Sequence, residues 1–99
     1  MGEVLQFSAE AQNDVKEAVL FYEGCSEGLG ARFNKELRDV TLSIIGSPLI
    51  RRERKEGYRQ ANMPSFPYYM TYIMEGELII LVAVAHSSRH PDFWKDRLT

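Results

Sequence analysis

The sequence holds one cysteine, two histidines and one tryptophan among 99 residues, and each scarcity closes off a class of function. A single thiol, Cys25, cannot form a disulfide within the chain. It reads as a small, partly buried hydrophobe, because no histidine or acid sits at a spacing that would recruit it as a nucleophile. A lone thiol also fits a reducing cytoplasm. No His/Cys/carboxylate group has metal-ligand spacing, so neither a metal nor a cofactor is expected. His86 and His90 stand four apart but straddle a strand end and Pro91, which removes the helical geometry a shared metal would need. There is no glycine-rich phosphate loop and no Ser-His-Asp order. Long apolar runs are missing too: the longest, residues 78–85, is far too short to cross a bilayer. The start Met-Gly-Glu-Val-Leu-Gln-Phe lacks the basic and apolar segments of a secretory signal. The expectation is a cytoplasmic protein with no membrane partner.

A strong excess of either charge is likewise absent. The net charge is −2, with 44% apolar and 26% charged residues, the balance of an ordinary globular domain. The charge is uneven, however. Residues 1–39 carry eight acids against four bases, and residues 40–99 carry six against eight. Within the second part, Arg51, Arg52, Arg54, Lys55 and Arg59 face only Glu53 and Glu56, which makes a local basic stripe. A protein that binds mainly by neutralising phosphates is usually more basic overall.

What is present is a clear alternation of patterns over one domain, residues 1–99. Residues 4–7 form a short apolar run, read as a strand, and Ser8 offers a side-chain oxygen to the free amides of a starting helix. Ala11, Val15, Ala18, Val19 and Tyr22 then recur at helical spacing, with Glu10, Asp14 and Glu17 early, where the helix dipole favours acids. Gly24 is placed to end this helix. A second stripe, Leu29, Phe33, Leu37, Val40 and Ile44, stops at Gly46 and Pro48. The short connection forces the two helices into an antiparallel hairpin. Residues 58–63 and 68–74 read as strands, and Glu75-Gly76-Glu77 as a tight turn. The uniformly apolar residues 78–85 read as a central strand covered on both faces. The tail, residues 91–99, adds one short helical turn. The fold class is α+β: β-α-α-β-β-β, a mainly antiparallel sheet with a helical hairpin packed on one face.

Three side chains suit chemistry or anion binding. Arg59 and Arg89 reach the sheet rim, where guanidinium groups fit phosphate or carboxylate. His86, at a strand end, has the ring for general acid/base work, though it has no identifiable partner. Tyr72 and Trp94 read as packing residues, and Gly28 and Gly30 as a tight turn and a close helix approach.

Three segments together resemble the RelE/ParE superfamily of toxins. They are Ala11 to Tyr22 followed by Gly28-Leu29-Gly30-Ala31-Arg32-Phe33; Gly57-Tyr58-Arg59 with Phe66-Pro67-Tyr68 and Tyr72; and Ala83-Val84-Ala85-His86 with Arg89, Pro91 and Trp94. The helical hairpin is similar to that of ParE-like members, the plasmid-stabilisation type. The resemblance implies the toxin of a bacterial type II toxin–antitoxin system, either a ParE-like inhibitor of DNA gyrase or a RelE-like ribosome-dependent mRNA endoribonuclease. RelE-like ribonucleases commonly carry an arginine in the strand that here reads Tyr68-Tyr69-Met70-Thr71-Tyr72, which has no base, and a reactive Tyr or His near Trp94. Those departures favour the gyrase reading. His86, Arg59 and Arg89 are the catalytic candidates of the ribonuclease alternative, and a decayed toxin that only binds its antitoxin is the third. The resemblance also implies a cognate antitoxin whose C-terminal segment folds on the toxin. The candidate groove lies beside the hairpin at Phe33 and Leu37, with Arg51, Arg52, Arg54, Lys55 and Arg59 meeting acidic side chains. Whether the chain forms a homodimer is open.

Overall fold

The computed structural model describes residues 4–98; residues 1–3 of the N-terminal stretch and residue 99 of the tail lie outside it. A short strand, β1 (Leu5–Phe7), leads into helix α1 (Ala9–Cys25). Ser8 makes the switch: its backbone is extended, and its Oγ accepts the Ala11 amide at 3.1 Å. One of the helix's free N-terminal donors is thereby satisfied. The helix runs through Gly24 to Cys25, one residue past the glycine expected to stop it. Glycine weakens a helix interior without ending it, and the break comes where Ser26 turns extended. Cys25 is exposed, not partly buried, because the chain turns back there through the equally exposed Ser26 and Glu27.

The second helix, α2 (Leu29–Gly46), buries Phe33, Leu37, Val40 and Ile44, the stripe expected from their spacing. Its N-cap, Gly28, has φ 85° and no side chain to offer. Glu23 at the end of α1 takes that role: its two carboxylate oxygens accept the Gly28 and Gly30 amides, each at 3.0 Å. A negative group at these orphan donors is also favoured by the helix dipole. The helices approach so closely here that a Cβ on Gly30 would lie 2.7 Å from the Val19 carbonyl oxygen, a backbone atom that cannot swing aside. Gly30→Ala is therefore expected to lose about 1–3 kcal/mol of stability through overpacking. Urea unfolding measures this, and an unchanged midpoint would mean that the hairpin opens freely.

The remaining strands are β2 (Arg59–Asn62), β3 (Tyr68–Glu75) and β4 (Leu78–His86), in the sheet order β1-β4-β3-β2. β4 pairs with β3 antiparallel and with β1 parallel, and so lies inside the sheet as its unbroken apolar run predicts. Gly76, at φ 63°, supplies the tight turn between β3 and β4. One irregularity matters: Tyr72 pairs with Leu81 but Thr71 pairs with Ala83, so Val82 is an extra residue in β4. On one face Phe33, Leu37, Ile44, Met70, Tyr72 and Leu81 join the helices to the sheet. On the other, Tyr58, Val82, Ala83 and Ala85 pack with Trp94. Trp94 comes from a C-terminal element, α3 (Asp92–Lys95), which a 3-10 turn (Asp96–Leu98) extends. Among the described residues no helix is long and apolar enough to cross a membrane.

Candidate functional site

The basic segment follows α2 and folds back onto the start of β2. The Arg54 amide donates to the Tyr58 carbonyl at 2.7 Å, and the Gly57 amide to the Arg54 carbonyl at 2.9 Å, closing a turn at the positive-φ Gly57. Arg52, Arg54 and Lys55 are exposed, while Arg51 and Arg59 are half-buried and hold the segment down. Arg59 Nη1 donates to the Arg51 carbonyl at 2.8 Å, and Arg51 Nη2 donates to Ser43 Oγ on α2 at 3.2 Å. Tyr72 anchors the other side by donating its hydroxyl to the Pro48 carbonyl at 2.7 Å. Together these contacts frame a cleft of about 470 Å³ with Leu49, Arg59, Tyr72 and Met74 on its walls. Leu49 and Ile50 beside it are 64% and 76% exposed, unusual for large apolar side chains. No sequence signal marked them, because two apolar residues after Pro48 show no periodicity.

His86 and Arg89 sit elsewhere. Both line a cleft of about 250 Å³ with Asp14, Glu17, Phe21 and Tyr68. His86 Nδ1 accepts the Ser88 amide at 3.0 Å, and its ring meets Tyr68 edge-on at 5.1 Å. The Arg89 guanidinium lies 3.6 Å above the Phe93 ring. Tyr68 has its phenol pKa raised, first by burial and then by the nearby Tyr22, Asp14 and Glu17, against a lowering by Arg89. It is therefore a hydrogen-bond donor at neutral pH and a poor base. Arg59 is not part of this group. It pairs with Tyr72, whereas His86 pairs with Tyr68, and four strand residues separate those points by roughly 13 Å.

Phe33 does not line a groove. It is 0% exposed, stacked on Tyr22 at 5.4 Å and edge-on to Phe66 and Tyr68, each at 5.1 Å. As an anchor for a partner it is corrected to a core residue, because the aromatic cluster that joins the hairpin to β3 encloses it. Leu37, 5% exposed, only floors a shallow cleft of about 220 Å³ with Phe7, Asn34 and Leu42.

Sequence reasoning also missed a polar knot. Asp14 accepts the Val84 amide at 3.0 Å and both Arg97 Nη groups at 2.8 and 3.2 Å, and Arg97 donates again to the Val82 carbonyl at 3.1 Å. A signal existed: Asp14 falls at helical spacing between Ala11 and Ala18, on the buried face of α1.

The layout has relatives. A family model described as the ParE toxin of the type II toxin–antitoxin system parDE matches residues 5–91. No curated protein matches the sequence. Among solved structures, a chain of the chromosomal ParDE toxin–antitoxin system from P. aeruginosa superposes with a TM-score of 0.70 at 13% identity. That match covers 83% of this chain and 92% of that one, and it establishes a shared fold. With the family match spanning both helices of the hairpin and all four strands, the chain belongs to the ParE toxin family of type II toxin–antitoxin systems.

Proposed function

We propose that this toxin arrests growth by binding DNA gyrase in the cytoplasm through its folded surface, with no covalent chemistry of its own. A cognate antitoxin neutralises it by covering the basic segment at Arg51, Arg52, Arg54, Lys55 and Arg59. The observation that carries this reading is the separation of Arg59 from His86 and Arg89 along the sheet. Cleaving RNA requires a base, an acid and cations gathered around one phosphate. Arg59 starts roughly 13 Å along the sheet from His86, and its guanidinium is held on the Arg51 carbonyl in the other cleft, so it is not gathered with His86 and Arg89. The His86–Arg89 cleft is what most favours the endoribonuclease alternative, yet Glu17 on its wall opposes a phosphate, and Tyr68, with its phenol pKa raised by burial, is a poor candidate for the base. Binding to a protein target needs only a surface.

Two assays on the purified chain separate the readings. Added to gyrase, it is expected to abolish supercoiling at near-stoichiometric amounts, and His86→Ala is expected to do the same. Added to programmed ribosomes, it is expected to leave the message intact. Codon-positioned cuts that disappear in His86→Ala would replace gyrase binding with RNA cleavage. A chain whose expression leaves growth unchanged would be an antitoxin-binding module alone.

A further inference from the structure

The cleft of about 470 Å³ lies where β3 runs on past its neighbour. β2 begins at Arg59, opposite Tyr72, whereas β3 continues to Glu75 before turning into β4. If the ladder went on, residue 57 would stand opposite Met74. Gly57 has instead turned away and gives its amide to the Arg54 carbonyl at 2.9 Å. The cleft is the space left between that turn and β3.

The pairing says what the backbone offers there. Met74 pairs with Ile79, and the Ile79 amide donates to the Val4 carbonyl at 3.0 Å, on the β1 side. In an antiparallel ladder, two opposite residues that do not bond each other turn their groups outward. Met74 therefore turns its N–H and C=O away from β4 and toward the cleft. Tyr68, at the same phase of the alternation, accepts the Met63 amide on that side, which agrees. Among the described residues no turn or loop group bonds to the Met74 N–H or C=O. One donor and one acceptor are thus free on the cleft wall.

Side chains bring charges of both signs to the same space. Arg59 is half-buried and held by Nη1 on the Arg51 carbonyl at 2.8 Å, and its other nitrogens have no partner among the described residues. Glu53 and Glu77 line the cleft from the loop and from the β3–β4 turn. Neither forms an ion pair among the described residues, with Arg59 or with any other cation. Pro48 and Leu49 add an apolar wall, with Leu49 64% exposed. The Tyr72 hydroxyl fixes that wall through the Pro48 carbonyl, so the cleft is formed before a ligand arrives.

This combination selects a ligand. An anion suits Arg59 but meets two carboxylates, and an amine suits the carboxylates but meets the guanidinium. A small molecule with both charges beside an apolar group satisfies all of these. In a ladder, the N–H and C=O of one residue face the C=O and N–H of another, and an α-amino acid presents its carboxylate and ammonium at a similar spacing. We propose that this cleft binds a free α-amino acid with an apolar side chain. Its carboxylate faces Arg59 and the Met74 amide, its ammonium faces the Met74 carbonyl and the two glutamates, and its side chain covers Leu49. The site concerns a small ligand of the toxin itself and stands whether or not gyrase is the target.

The test titrates the purified full chain with L-leucine and, separately, with L-phenylalanine, and follows the amide resonances by NMR. At least one is expected to move Gly57, Arg59 and Met74 saturably, with a Kd below roughly 10 mM. Removing one charge from the ligand should weaken binding about tenfold or more. The analogues are isocaproate and isoamylamine for leucine, and hydrocinnamate and phenethylamine for phenylalanine. Glycine, with both charges and no side chain, should also bind about tenfold more weakly or worse. These comparisons use the parent, so no variant has to fold. Arg59→Gln, once thermal melting shows it folded, is expected to bind the amino acid about tenfold more weakly and the matching amine no worse. Neither amino acid moving these amides, or saturable shifts confined to residues outside the cleft, would overturn the proposal. So would an analogue lacking one charge that binds as tightly as the amino acid, which would assign the cleft to a simple anion or amine.

Discussion

Replacing Asp14 by Ala is expected to lower the stability of this toxin by about 3–5 kcal/mol. Val82 is an extra residue in β4, and pairing with β1 ends at Leu81, so the backbone groups beyond it face α1 with no strand to bond. Asp14 and Arg97 satisfy them. The carboxylate takes the Val84 amide and both Arg97 Nη groups, and Arg97 also bonds the Val82 carbonyl. The side chains of Arg97 and Asp14 are 18% and 9% exposed, so water cannot substitute freely. Removing Asp14 strands an unpaired amide and leaves a largely buried guanidinium with one carbonyl. Both penalties are larger than the loss of an ordinary hydrogen bond. For a domain of this size the midpoint of thermal unfolding should drop by on the order of 20 °C. A double-mutant cycle with Arg97→Met separates the ion pair from the Val84 bond, and coupling of about 0.5–3 kcal/mol is expected. A single-variant loss below about 1 kcal/mol, with additive effects in the cycle, would show that the knot is incidental.

That knot also shows where the sequence stops being readable. The two helical stripes, the Ser8 cap and the internal β4 all follow from local periodicity and local chemistry, and the structure has them. Asp14 also followed a local rule, as an early helix acid, but its partner lies 83 residues away in the tail. The extra residue in β4 left no trace for a different reason. Residues 78–85 are apolar throughout, so a break in alternation cannot be seen against them. Phe33 shows the converse limit. Spacing identifies a stripe but not how completely it is enclosed, and three aromatic rings from α1 and β3's approach close over this one. The basic segment was legible as composition. Its position on the β2 edge was not, since a register slip of one residue would turn Gln60 and Asn62 inward and Ala61 outward. The ribonuclease candidates parted because distance along a strand depends on pairing, which residues 59, 86 and 89 do not encode alone.

The second large effect belongs to the other face of the sheet. Trp94→Ala is expected to cost about 3–5 kcal/mol, the range for deleting a buried aromatic ring. Trp94 is 1% exposed and packs edge-on to Tyr58 at 4.9 Å, against a floor of Val82, Ala83 and Ala85. Those small side chains cannot expand into the vacated space, so a cavity remains and part of the apolar floor meets water. Its Nε1 also donates to the Tyr69 hydroxyl at 2.8 Å. Trp94→Phe keeps most of the ring packing and loses this bond, so it should fall between parent and Trp94→Ala. The helix that carries Trp94 has only four residues, too short to persist without docking. Losing the indole should therefore release the whole C-terminal turn, and Arg97 with it. Trp94→Ala and Asp14→Ala would then be less than additive, since each already undoes part of what the other holds. Because Trp94 is the only tryptophan, its fluorescence in the parent follows the docking of the tail directly. In urea it should shift to the red together with the loss of helical circular dichroism. A fluorescence transition well before the helical one would mean that the tail undocks by itself, and the stability assigned to Trp94 would then be local to the tail.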